Sequence, residues 1–319
     1  MVDHTRDKLT ASFYYEEGLY GKKDEDVTVS SDLYLGRIGM LKRRRDKRCR
    51  RCVTAHVILM LGAITMIIPF IWTISTSLKQ LSEVFVFPPR LLGEKIMWEN
   101  YLRISDRFPF DTYFLNSLKI TVIVVIAQLL TSSMAGYVFA RLRFKYRDLL
   151  FGCYLATMMI PAQVTLIPNF IIMRNYNLID THWSLILPAL VSAFGTFLLR
   201  QFFLTIPGSL EEAAKIDGCS PFGVYWRVFV PLSKPAMATL GVFVFMGMWN
   251  EFLAPLIYIN TQAKMTLPLG LASMQGLYGT DWPVLMASTV LSIAPLIVIF
   301  LLAQDFFIKG VTLSGLKGE

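Results

Sequence analysis

An all-α membrane protein with six transmembrane helices is the fold class this sequence predicts, on three observations. The chain is 54% hydrophobic and only 17% charged, where soluble domains carry about 25% charged residues. Its charges gather in a polar head, residues 1–52, and in short runs between long apolar stretches, the pattern of spans and loops rather than of a large soluble core. Six of those stretches, 53–77, 117–140, 149–172, 183–204, 235–259 and 284–308, reach the roughly 20 residues that a helix needs to cross the hydrocarbon.

The head holds no short apolar core of the kind a secretory signal needs, and its mixed-charge composition reads as a disordered cytoplasmic tail. It closes with eight Lys/Arg between Lys42 and Arg51, directly before the first apolar span. Placed there, the net charge of +8 points to anionic lipid rather than to nucleic acid. Cys49 and Cys52 form a C-x-x-C, but no second cysteine or histidine pair completes a zinc site and no βαβ pattern surrounds them, so the pair carries no assignment. Nothing in the cysteine pattern suggests a disulfide framework.

Orientation follows from the basic residues. The 141–148 loop sets Arg141, Arg143, Lys145 and Arg147 against Asp148, whereas segment 79–116 balances five basic with five acidic residues. Both termini are therefore expected in the cytoplasm, with a transmembrane domain over 53–308 and a cytoplasmic tail over 309–319. Pro161, Pro168 and Pro188 fall in the third and fourth spans, where membrane helices tolerate proline if neighbours satisfy the freed backbone groups. Lys119, Arg200 and Asp305 lie near span ends and can snorkel to the interface. Glu251 differs: in Trp249-Asn250-Glu251-Phe252 it sits well inside the fifth span, where a carboxylate faces either a bonded neighbour or a wet path. Both readings stay open.

The loop over 205–234 is the most informative segment. Ser209 and Glu212 have the spacing of an S-x-x-E capping box, Glu211 and Glu212 suit a first helical turn, and Gly218 is placed to end that helix in the left-handed conformation. Ser220-Pro221 then starts a second helix. Its Phe222, Tyr225, Trp226 and Phe229 fall at i, i+3, i+4 and i+7, predicting one aromatic face, and Pro231 is expected to end it. Two short helices with an elbow outside the bilayer form either a docking element or a loop packed under its own bundle.

The resemblance carried by this loop favours docking. Glu212-Ala213-Ala214, three residues, Gly218, nine residues, then Val228-Phe229-Val230-Pro231 resembles the EAA signature of permeases of ABC importers, E-A-A, G, I-x-L-P. Val228 and Val230 depart from isoleucine and leucine but keep the apolar character. The similarity spans about residues 56–318 and is greatest to the second permease subunit of carbohydrate importers, the group typified by the MalG subunit of the maltose importer. Phe87-Pro88-Pro89, Trp98-Glu99-Asn100-Tyr101, Phe114-Leu115-Asn116-Ser117, Ala140-Arg141-Leu142-Arg143-Phe144, Trp249-Asn250-Glu251-Phe252 and the tail from Gln304 to Gly318 look like that group's, Ser314 and Gly315 standing where the family usually has Gly and Ala.

The resemblance implies a type I importer permease fold and a non-enzymatic subunit. Consistently, the sequence has no G-x-x-x-x-G-K-[ST] phosphate loop; Gly310 to Lys317 has Leu316 before the lysine and no Ser or Thr after it. The partners implied are a MalF-like second permease, an ABC ATPase dimer that binds the ATP, and an external solute-binding protein, in the lipid bilayer of a bacterial or archaeal cell. No cofactor and no metal is expected on this chain. Glu212, Ala213, Ala214, Gly218, Val228 and Pro231 are the implied ATPase-coupling residues. The subgroup implies a sugar, and the polar or aromatic groups suited to a sugar path are Glu251, Asn250, Trp249, Gln128, Thr131 and Ser132, each of which could instead be an interhelical contact. A secondary transporter would call for two related halves and ion sites. A membrane enzyme would call for a nucleophile and base or H-E-x-x-H. None of these is visible in the sequence.

Overall fold

The computed structural model describes residues 54–276 and 279–315, with the side chains of 305–315 excepted. The tail expected over 1–52, with Cys49 and Cys52, the side chain of Asp305 and the last four residues lie outside the described residues. The chain divides into two units, Met1–Pro69 and Phe70–Glu319. The described part of the first is a helical stretch, apolar on every side, within helix α1 (Thr54–Ser77).

Among the described residues the second unit consists of helices joined by irregular segments, with one isolated bridge between Gly276 and Gly279. Its long helix α2 runs Phe110–Arg141, starting directly after Pro109, so it is longer at its N-terminal end than the 117–140 expected. The third span is not one helix. Arg147–Met159 (α3) and Ala162–Asn175 (α4) meet at 97°, because Pro161 lacks a backbone donor and drives Ile160 into an extended conformation (ψ 115°). The fourth span, α5 (Trp183–Thr205), passes through a 3₁₀ turn at Leu187–Ala189 around Pro188 and breaks over 190–192, where the extended Ser192 caps the stretch that resumes at Ala193.

The loop helices follow: α6 (Gly208–Ile216) and α7 (Pro221–Leu232), which turns by 77° into α8 (Lys234–Trp249). The fifth span, expected unbroken over 235–259, stops at Trp249 and resumes as α9 (Leu253–Tyr258). Pro255 cannot donate to the Glu251 carbonyl one turn back, which removes the bond that would bridge the gap. A short helix α10 (Leu267–Ser273) precedes α11, which is continuous over Trp282–Gly315 rather than ending at 308. Among the described residues, four helices are long and apolar enough to cross a membrane by themselves, or up to six if each bent pair is one span.

Helix α2 is the spine, packed against α5 and α8, with α8 against α11. Small residues set the α2–α5 distance, as expected where lipid gives no hydrophobic drive to helix association. A Cβ at Gly136 would lie 3.0 Å from the Arg200 backbone nitrogen, and one at Gly195 would lie 2.5 Å from Ser132 Oγ. The Arg200 side chain donates to the Phe139 carbonyl (3.2 Å), stacks on Phe151 (4.2 Å) and reaches the exposed Asp148 carboxylate of the loop (3.8 Å).

The segment following α1 also packs. Asn100 is buried and donates to the carbonyls of Ser77 and Lys79, both at 2.9 Å. The ammonium of Lys79, itself 2% exposed, donates to the Arg90 carbonyl (2.6 Å) and lies over the Trp72 ring. In the α4–α5 connection, the Asp180 carboxylate accepts from the Thr261 hydroxyl (2.5 Å), from the backbone N–H of Thr261 and Asn260, and from Lys264 (3.0 Å). These bonds, the Thr261 hydroxyl foremost, hold its pKa well below the usual carboxylate range. A depressed pKa contributes stability that is fully present above the unfolded value, about 3.9, and is lost only as pH falls through the folded value. Asp180→Asn is therefore expected to lower the thermal midpoint by the same amount at pH 5 and pH 8; a difference that vanishes at pH 5 would contradict this assignment.

Candidate coupling site and translocation path

The loop between α5 and α8 is built by local backbone chemistry. Ile206 and Pro207 are extended (ψ 131° and 136°) and end α5, so that α6 starts at Gly208. The expected capping box does not form. With Pro207 at the N-cap there is no side-chain cap, and Ser209 already lies inside the helix. Glu211, rather than Glu212, is the carboxylate of the first turn, bonded to Lys215 at 2.7 Å.

The C-terminal end is as expected. Gly218 has φ +79°. Its N–H donates to the Lys215 carbonyl (3.0 Å), and the N–H of Cys219 donates to that of Ala214 (2.9 Å), the paired bonds of a Schellman closure. Ser220 Oγ then accepts from Gly223 N–H (3.2 Å), with Pro221 in the first turn of α7.

The aromatic face divides in two. Tyr225–Phe229 winds as a π-helix, and the wider turn shifts the register of the later residues. Tyr225 and Phe229 face inward, 3% and 0% exposed, while Phe222 and Trp226 face out at 64% and 53%. Tyr137 of α2 packs edge-on to Phe229 (5.0 Å) and against Tyr225 (5.4 Å) and donates to the Pro221 carbonyl (3.1 Å). Ser133 Oγ and Tyr225 Oη are 2.7 Å apart. Helix α7 continues through Pro231 and ends at Leu232, because proline at the start of the next turn, Pro235, is what interrupts the ladder.

The implied coupling residues thus separate by exposure. Glu212, Ala213, Gly218 and Pro231 are exposed; Ala214 is buried and Val228 is half-buried against the inner cluster. With Leu210, Phe222 and Trp226 they give one side that packs on α2 and α5 and one that is open.

The six polar or aromatic candidates for a path fare differently. Trp249 is 2% exposed, donates to the Ser292 carbonyl of α11 (3.0 Å) and stacks on Phe245. Gln128 and Thr131 of α2 donate to the carbonyls of Ala189 (2.7 Å) and Leu190 (2.9 Å) of α5. Ser132 is buried against Gly195, its hydroxyl without a hydrogen-bond partner among the described residues. These four occupy helix–helix contacts. Asn250 and Glu251 lie at the break between α8 and α9: Asn250 donates back to the Met246 carbonyl (2.8 Å), and Glu251 accepts from Ala254 N–H (3.0 Å). Glu251 is therefore the cap of a broken helix and only half-buried, rather than a carboxylate within a continuous one.

One residue in this region went unassigned in the sequence. Arg141 ends α2; its Nη2 donates to the carbonyls of Phe203 (2.5 Å) and Ile206. Its guanidinium lies over the Phe229 ring (4.9 Å), and Nη1 is 3.9 Å from Glu211. In the sequence it reads as one of several basic loop residues and as part of the family-like 140–144 segment, with no role of its own.

Residues 128–313 match the family profile described as binding-protein-dependent transport system inner membrane component. The chain is 35% identical over 245 residues to the arabinooligosaccharides transport system permease protein AraQ of Halalkalibacterium halodurans, covering 76% of this chain and 86% of that protein. It is 35% identical over 270 residues to the sulfoquinovosyl glycerol transport system permease protein SmoH of Agrobacterium fabrum (84% and 93%). Against the sn-glycerol-3-phosphate transport system permease protein UgpE of Yersinia pestis it is 32% identical over 267 residues (81% and 95%). Among solved structures it is similar to a chain of a bacterial ABC transporter involved in the import of the acidic polysaccharide alginate, with TM-score 0.73, 26% identity, and 80% and 95% of the two chains covered.

Proposed function

We propose, on the premise that this chain belongs to the family of binding-protein-dependent transport system inner membrane components, that it is the permease subunit of an ATP-driven importer that takes up a sugar or oligosaccharide. The names of its relatives supply the solute class. The remaining assembly follows the same reading: a second permease, a pair of separate ATPase subunits that bind and hydrolyse the ATP, and an external protein that delivers the solute. The chain is a multi-pass membrane protein, and its basic runs favour both termini in the cytoplasm of a bacterial or archaeal cell. It needs no cofactor of its own.

The observation that carries the coupling role is the two-sided loop. Its inner face is bonded to α2 and α5, and its outer face presents Glu212, Ala213 and the rings of Phe222 and Trp226. A rigid element held on one side and open on the other transmits displacement of whatever docks on it. Closure of the ATPase pair then shifts a bundle between two states, provided the two differ in affinity for that closure. For the path, Asn250 and Glu251 are the favoured candidates, since they lie at a helix break, the kind of place where transporter helices hold their polar groups.

The test is reconstitution in proteoliposomes with the ATPase, the second permease and the binding protein. Uptake of radiolabelled solute is expected to require ATP and all components, and the chain alone is expected to hydrolyse no ATP. Hydrolysis by the pure chain, or uptake driven by an ion gradient without ATP, would contradict the proposal.

A further inference from the structure

One side chain reaches both loop helices and the ends of two spans. Arg141 is the last residue of α2 and its side chain is 13% exposed. Nη2 donates to the Phe203 and Ile206 carbonyls at the end of α5, the first of which also accepts from Ile206 N–H. On the same guanidinium, Nη1 faces Glu211 of α6 at 3.9 Å, and the planar face covers Phe229 of α7 at 4.9 Å. Glu211 is held from its other side by Lys215. One group thus joins two spans to both loop helices.

We infer that Arg141 is a positioning residue for coupling: it locks α6 and α7 to the ends of α2 and α5, so that displacement of the loop moves the spans instead of being absorbed at the Ile206–Pro207 link. The inference rests on the coupling role proposed for the loop. Lysine cannot replace this clamp. An ammonium is a compact point charge without a flat face or a fork, so it can hold a carbonyl or Glu211 but not bridge them while stacking on Phe229.

The reconstituted complex carrying Arg141→Lys tests this, with hydrolysis and uptake both normalised to assembled complex and Gly218→Asp run alongside. The expected result is a ratio of ATP hydrolysed to solute imported raised at least about fivefold, the lower end of coupling effects between sites. Removing the Glu211 charge in Glu211→Gln should raise the ratio by less, since the carbonyl bonds remain. A merely structural role would lower the amount of complex and leave the ratio per complex unchanged. An unchanged ratio for Arg141→Lys, whatever the abundance, overturns the inference. If Gly218→Asp abolishes uptake while Arg141→Lys keeps the normal ratio, the inference on Arg141 falls and the coupling role of the loop stands. If Gly218→Asp imports normally, the coupling role itself falls.

Discussion

Replacement of Gly218 by aspartate is expected to abolish solute uptake while leaving the chain in the membrane at near-normal amounts. Gly218 stands at φ +79° between α6 and α7 with no atom near the site of a Cβ. The cost is therefore backbone strain rather than a clash, about 1 kcal/mol for a non-glycine residue in the left-handed region. That is too little to unfold a bundle whose spans are stabilised elsewhere. It is enough to loosen the Schellman closure, whose bonds from Gly218 and Cys219 fix the angle between the helices. The rings of Phe222 and Trp226 and the Glu212–Ala213 edge would then no longer present together. Uptake and copurification of the ATPase subunit, measured in the same membranes, distinguish this from loss of the protein: the chain remains, and partner binding or coupling fails.

The second large effect lies in the bundle. Gly195→Leu is expected to prevent accumulation of the folded chain, and Gly195→Ala to reduce it. A Cβ at 195 would sit 2.5 Å from Ser132 Oγ and 3.1 Å from Leu240 Cδ2, at the contact of α2 with α5. Overpacking of this kind typically costs about 1–3 kcal/mol. Ser132 is short and fully buried, so it has no room to turn away. Because its hydroxyl has no partner among the described residues, Ser132→Ala should be tolerated. The exchange Ser132→Gly with Gly195→Ala moves the Cβ across the contact and should restore much of the abundance. Detergent-solubilised yield and thermal midpoint check both steps. A Gly195→Leu chain with normal yield would show that α2 and α5 do not approach as closely as described.

Much of this arrangement was legible in the residues because it is local. Long apolar runs mark spans, and glycine after Lys215-Ile216-Asp217 marks a left-handed helix end. Ser220-Pro221 marks a helix start. What was not legible depended on register or on distant partners. The capping box failed because Pro207, two residues earlier, fixed where α6 begins. The aromatic face split because a π turn over Tyr225–Phe229 breaks the 3.6-residue period on which the reading relied. The bend at Pro161 and the gap at Asn250–Phe252 follow from prolines, but their sharpness is set by packing. Gln128, Thr131 and Trp249 have the polarity of path residues, and only their tertiary partners show them bonded across helices. Arg141 was hidden for the same reason, since its carbonyl acceptors lie more than sixty positions away in the chain.

The central claim, that the open side of the α6–α7 loop is where the ATPase engages, is most directly tested at Ala213. This residue is exposed, small and on the outer side of α6. In a chain otherwise free of cysteine, Ala213→Cys paired with a cysteine scanned along the cleft of the ATPase subunit should form a disulfide that arrests uptake, and reductant should restore transport. The same thiol in intact cells should be protected from a membrane-impermeant maleimide, as the proposed cytoplasmic placement of this loop requires. Labelling of Ala213→Cys from outside, or failure to cross-link at any cleft position while uptake proceeds normally, would contradict the account.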